Sequence, residues 1–272
     1  MRAIPSLLKA NVDILAPFLV ELFNRSLSTG PVSTAFKEAY VTLRLKKADL
    51  DPADTKSYRP ISNLSVLSKL LQRLVARQLL DYLIAENLIP DLQSAHRAFH
   101  STETAVLKVM SDILKALDNG DIALVTLLDL SAAFDTVHHA ILLKRLEISY
   151  GLNGHALCWF ESYLTGRKQC VRCRNSRSLF TMILCAVPQG SVRGPILFLL
   201  YTADLLRLVD SHHLHPHLYV DVTQIYGFSD PSGAFQLQLR VLACVEEVSM
   251  WMRSNRLQLN PAITEVLAVL ES

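Results

Sequence analysis

Nine residues, Leu218-Tyr219-Val220-Asp221-Val222-Thr223-Gln224-Ile225-Tyr226, constrain this chain more than any other segment. An apolar strand runs into a carboxylate at a tight bend and a second strand leaves it, a β-hairpin that carries one acid to the surface of a sheet. A second acid, Asp129, ends the β-branched apolar run Ile122 to Leu130, which is short enough for a buried strand. One sheet holding both runs would set two carboxylates side by side, an arrangement suited to divalent cations and phosphoryl chemistry. Taken singly, each is equally an ordinary turn aspartate.

Helices surround these strands. From Leu64 to Leu83, Leu67, Leu70, Leu71, Leu74, Val75, Leu79 and Leu83 recur at helical spacing, opposite Lys69, Arg73 and Arg77. A second helix starts at Ser101 or Thr102 as N-cap and runs through Val106, Val109, Met110, Ile113 and Leu117 to a stop at Gly120. Further helices are expected from Ala132 to Glu147, Ala156 to Leu164, Pro195 to Leu208 and Ala234 to Ser254, with a polar basic stretch from Gly166 to Ser178. Strands that carry acids, with helices behind them, make an α+β domain.

Half of the 272 residues are apolar, enough for a sizeable core. Lys+Arg 27 against Asp+Glu 25 is nearly balanced, so a polyanion partner must be argued from local clusters. Arg167, Lys168, Arg172, Arg174 and Arg177, with no acid among them, form the best such cluster for a nucleic-acid backbone; a solvated loop is the alternative. Five scattered cysteines suit a reducing compartment, and the lone pair Cys170 and Cys173 is too little for zinc. His212, His213, His215 and His217 are expected in a polar loop leading into the hairpin. Without a signal peptide or a membrane-length apolar run, the expectation is a soluble intracellular protein with no membrane partner, nucleus and cytoplasm not being separated.

Three segments follow one another in order: Asp129-Leu-Ser-Ala-Ala-Phe134-Asp135, Val187-Pro-Gln-Gly-Ser191 and Tyr219-Val-Asp221. They resemble motifs A, B and C of reverse transcriptases. Lys56-Ser-Tyr-Arg59-Pro-Ile-Ser62-Asn63-Leu64, Tyr163-Leu-Thr-Gly-Arg167 and Trp251-Met-Arg-Ser-Asn-Arg-Leu-Gln-Leu-Asn260-Pro extend the likeness over nearly the whole chain. It is most similar to non-LTR, LINE-type elements, above all the CR1/L2-like branch.

The resemblance implies right-hand polymerase fingers and palm, the palm having a small antiparallel sheet backed by helices. It places an N-terminal helical extension at 1–35, fingers at about 36–119 and 140–180, and palm at about 122–139 and 181–272, with thumb and endonuclease expected to be absent. Asp129 and Asp221 become ligands of Mg2+ in RNA-templated DNA synthesis from deoxynucleoside triphosphates on a DNA primer. Lys46, Lys47 and Arg59 would clamp the triphosphate, and Phe134 would sit under the sugar. Gln189 and Gly190 would approach the nucleotide, while Arg97, Arg167, Arg172 and Arg174 would meet nucleic acid.

Several positions depart from the family pattern. Val222 replaces the second aspartate of Tyr-Ala-Asp-Asp, and Ile263 replaces the lysine of Asn-Pro-x-Lys-Thr-Glu. Ala186 and Phe99 stand where glycine is usual, Arg193 where leucine is, and His138 where aspartate is. These changes lead us to expect an inactive or very weak copy, or a non-catalytic nucleic-acid-binding relic.

Overall fold

The computed structural model describes residues 8–89, 101–131, 133–173, 176–187, 194–219, 222–260 and 265–269. The chain divides into two compact units, Met1–Glu86 with His138–Gly194, and Asn87–Val137 with Pro195–Ser272.

The second unit is organised by β3 (Ile122–Leu128), whose neighbours are β8 (Val222–Ser229) and β9 (Glu265–Val269), with β7 (His215–Tyr219) beyond β8; every pairing is antiparallel. Both faces of β3 are covered, which is why it reads as a continuous apolar run. On one face Ala123, Val125 and Tyr226 pack with Val109 and Ile113 of α3 (Thr102–Asp118). Ser101 caps that helix in a reciprocal box with Thr104. On the other face lies α9 (Ala234–Ser254), which buries Leu237, Val241, Cys244, Val248 and Met252 at helical spacing. A Cβ built on Gly227 would lie 2.9 Å from a methyl of Leu237 in this helix and 2.6 Å from one of Leu214, the residue before β7. A side chain there would have to push aside the tips of two buried leucines.

The first unit contains a five-stranded sheet with β2 (Tyr58–Asn63), β1 (Glu38–Leu45), β4 (Arg167–Cys173) and β5 (Ser176–Arg177) in that order, β6 (Thr181–Ile183) also pairing with β4. Its helices are α1 (Val12–Thr29), α2 (Val66–Ala85), α5 (His139–Ile148) and α6 (Gly154–Leu164). Ala39 and Val41 are buried, while Glu38, Thr42 and Arg44 are exposed, the alternation of a sheet with one packed face. Pro60 is tolerated because β2 is an edge strand.

Four expectations are corrected. The apolar helix from Pro195 to Leu208 is two helices, α7 (Gly194–Thr202) and α8 (Asp204–Ser211), and the stretch from Ala132 to Glu147 is α4 (Ala133–Thr136) followed by α5. The basic stretch is the β4–β5 hairpin, with Cys173 opposite Ser176. The histidines do not form a loop cluster: His215 and His217 lie in β7, His217 is buried, and His212 pairs with Glu247 at 2.7 Å. Among the described residues no helix is long and apolar enough to cross a membrane.

Candidate functional site

In the second unit, strand register assembles a row of four residues. Tyr219 of β7 pairs with Val222 of β8. Leu128, the last residue of β3, pairs with Thr223, so the register carried one residue further sets Asp129 level with Val222. Beyond Asp129 comes Asn260, whose backbone N–H donates to the Asp129 carbonyl at 2.9 Å, next to the bridge between Leu130 and Leu259. All four side chains are half-buried, at the edge of the sheet rather than in its core.

Each end of the row is tied down. The Tyr219 hydroxyl shares a 2.6 Å hydrogen bond with Thr102 Oγ1 in the first turn of α3. Asn260 Nδ2 donates to Asp129 Oδ2 at 3.1 Å. Deeper along α3, Asp112 pairs with Lys108 and accepts from the Tyr226 hydroxyl at 2.7 Å. Burial, and then the adjacent carboxylate, hold that phenol well above its ordinary pKa.

The carboxylate of Asp129 suits a hard cation in its chemistry: one oxygen takes the Asn260 amide, and the other has no hydrogen-bond partner among the described residues. The described residues contain no group of three or more histidines, cysteines or acids that could hold a metal, and the residue facing Asp129 is apolar. Asp221 lies outside the described residues, between Tyr219 and Val222. Phe134 is half-buried on α4, its ring 5.1 Å from that of Phe198 in α7.

In the first unit, Lys46, Lys47 and Arg59 are exposed. Arg59 stands directly opposite Arg44 across β1 and β2, and Arg172 directly opposite Arg177 across β4 and β5. Tyr40 is level with Cys170, and Arg44 and Arg172 follow these by four and two residues, so alternation puts all four arginines on one face of the sheet. Facing like charges cost stability. Among the described residues no ion pair offsets them.

Arg167 is different. Expected against nucleic acid, it is fully buried: Nη1 donates to the Tyr163 carbonyl at 3.0 Å, and the guanidinium lies 4.8 Å from the Tyr163 ring centre. That ring stacks on Trp159, 5.3 Å between centres, so both aromatics are core. Burial lowers the Arg167 pKa, and it lowers that of Lys37 with help from Arg167. Arg97, Arg174, Gln189 and Gly190, with the departures at Phe99, Arg193 and Ile263, lie outside the described residues.

Sequence reasoning missed Arg44, Arg177 as a cross-strand partner, Thr102 as the contact of Tyr219, and Asn260. No apolar–polar alternation in Arg167–Cys173 announces β4. No local signal joins Asn260 to a residue 131 positions away.

The family model described as reverse transcriptase (RNA-dependent DNA polymerase) matches residues 45–268. A probable RNA-directed DNA polymerase from transposon BS of Drosophila melanogaster is 35% identical over 188 residues, 69% of this chain and 20% of the relative. The RNA-directed DNA polymerase from mobile element jockey of Drosophila funebris gives the same identity and coverage. The chain thus spans about a fifth of the length of these relatives. Among solved structures, apo telomerase from Candida tropicalis, truncated from its C-terminal domain, superposes with a TM-score of 0.62 at 13% identity, over 89% of this chain and 52% of the other. Telomerase from the same organism in complex with a fragment of telomeric RNA gives 0.59 at 12%, over 93% and 44%. At these identities the likeness is one of fold.

Proposed function

Because the chain belongs to the reverse transcriptase family, as a LINE-type retrotransposon domain with a polymerase fingers and palm fold, we propose that its ancestral reaction is RNA-templated extension of a DNA primer from deoxynucleoside triphosphates. In this reading the fingers are about 36–119 and 140–180 and the palm about 122–139 and 181–272. The row Tyr219, Val222, Asp129 and Asn260 is the observation that carries this reading, since it sets a half-exposed carboxylate beside the hairpin that contains Asp221.

Asp129 and Asp221 supply the oxygen ligands for Mg2+. Bound there, the cation would activate the primer hydroxyl and stabilise the leaving pyrophosphate. Lys46, Lys47 and Arg59 hold the triphosphate, the fork of Arg59 suiting phosphate oxygens. Phe134, seated against Phe198, forms the floor under the sugar. Gln189 and Gly190 lie along the nucleotide, and Arg97, Arg172 and Arg174 along the nucleic-acid backbone. Arg167 is left with a structural part, packing against Tyr163.

This copy catalyses weakly or not at all. Val222 puts an apolar side chain opposite Asp129 where the family pattern has a carboxylate, and Ile263 removes a cation. Primer extension on an RNA template tests both statements. Extension near zero is expected; robust extension abolished by Asp129→Ala would establish the activity and refute its loss.

The facing arginine pairs favour a second reading, a nucleic-acid-binding relic without chemistry. Four guanidiniums on one sheet face tolerate their repulsion better when phosphates lie between them. Salt-dependent binding to a primer-template duplex without extension would select this reading.

A further inference from the structure

We infer that Asn260 is a positioning residue that fixes the rotation of the Asp129 carboxylate and so decides which oxygen is presented to a cation; this rests on the reading of Asp129 as a metal ligand. Asn260 holds Asp129 twice. Its N–H donates to the Asp129 carbonyl at 2.9 Å, and its Nδ2 donates to Oδ2 at 3.1 Å. The first bond sets where the backbone of Asp129 lies, and the second sets how its carboxylate turns.

The segment carrying Asn260 is itself anchored. Ser131 N–H donates to the Gln258 carbonyl at 2.9 Å, Leu259 bridges Leu130, and Leu257 is buried. Upstream, the Tyr201 hydroxyl of α7 donates to the Asn255 carbonyl at 2.6 Å. The amide is therefore presented from a fixed strand rather than from a free loop.

The chemistry of the donor matters as much as its place. A lysine or arginine here would orient the carboxylate but also compete with the cation for its charge. A neutral amide donates one hydrogen bond to Oδ2 and leaves the full negative charge and the second oxygen for the metal. Partners that orient a ligand in this way typically change metal affinity by about 10–100-fold.

The test is Mn2+ binding to the full chain, followed by the electron paramagnetic resonance signal of free Mn2+, beside thermal melts. Asp129→Asn is expected to abolish the Asp129-dependent binding. Asn260→Ala is expected to weaken it about tenfold or more, and Gln258→Ala, which removes an exposed side chain of the same segment and keeps its backbone bond to Ser131, to leave it unchanged. Asn260→Ser replaces Asn260→Ala should the alanine variant fail to fold. If Asn260→Ala bound as tightly as the unaltered chain while Asp129→Asn did not bind, the positioning role would fall and the metal reading would stand. An equal loss in Gln258→Ala would also overturn the positioning role, by assigning the effect to the strand. No Mn2+ binding by the unaltered chain, or undiminished binding by Asp129→Asn, would overturn both.

Discussion

Asp129, the residue after β3, comes level with Val222 of β8 when the register of Leu128 and Thr223 is carried one step on. Facing side chains in an antiparallel pair are near neighbours, so a carboxylate at 222 would repel that of Asp129 unless a cation lay between them. Val222→Asp should therefore lower stability by about 0.2–1 kcal/mol in the absence of divalent ions and recover it when Mg2+ is added. Melts with and without Mg2+ check this; the unaltered chain should show a smaller response.

The facing arginines make stability and binding move in opposite directions. Arg177→Glu turns the pair with Arg172 from like to opposite charge and should stabilise the sheet by about 0.2–1 kcal/mol. It should also weaken binding to a primer-template duplex and flatten its salt dependence by about one to two counterions. Arg59→Glu opposite Arg44 should behave alike. Fluorescence anisotropy at several salt concentrations, beside urea unfolding, separates the two effects.

Gly227 faces the packed side of α9, where an added Cβ would meet Leu214 and Leu237 at less than van der Waals distance. Gly227→Ala should cost about 1–3 kcal/mol through overpacking. The midpoint of denaturant unfolding reads this directly. A change confined to binding, with the midpoint unmoved, would contradict the packing.

Ala186, where the family pattern has glycine, adopts φ 93°, a region unfavourable to a side chain. His139 Nε2 lies 2.8 Å from its carbonyl oxygen and holds it in place. Ala186→Gly should raise stability by about 1 kcal/mol, by removing the strain a Cβ suffers there.

The burial of His139 sets a pH dependence. Burial, and then Arg167 and His138, lower the His139 pKa, against the opposing pull of the Ala186 carbonyl. The folded state thus binds its proton less readily than the unfolded state, and acid favours unfolding. The contribution is complete above the unfolded pKa of about 6.5 and is lost as pH falls from there through the lower folded value. His139→Gln, which keeps an N–H donor, should flatten stability between pH 7 and 5.

Much of this was legible in the sequence because periodicity is local. The last helix appears over Ala234–Ser254 as its spacing implied, Ser101 caps α3, and the hairpin strands flank Asp221. β1 and β2 were not legible: Arg44 and Arg59 interrupt their apolar pattern, and Pro60 argues against a strand unless it is known to lie at an edge. Arg167 was misread because charge suggests the surface, whereas its aliphatic stem and planar head pack on Tyr163 four residues earlier. The row through Asp129 depends on register and on a partner 131 residues away, neither of which a local pattern encodes.

The central claim is that the position facing Asp129 separates ancestry from activity. Primer extension on an RNA template, run in parallel on the unaltered chain, Val222→Asp and Val222→Asp with Asp129→Ala, tests it most directly. Mg2+-dependent extension by Val222→Asp alone, at least about tenfold above the other two, is the predicted result. Equal extension by the unaltered chain and Val222→Asp, both abolished by Asp129→Ala, would contradict it.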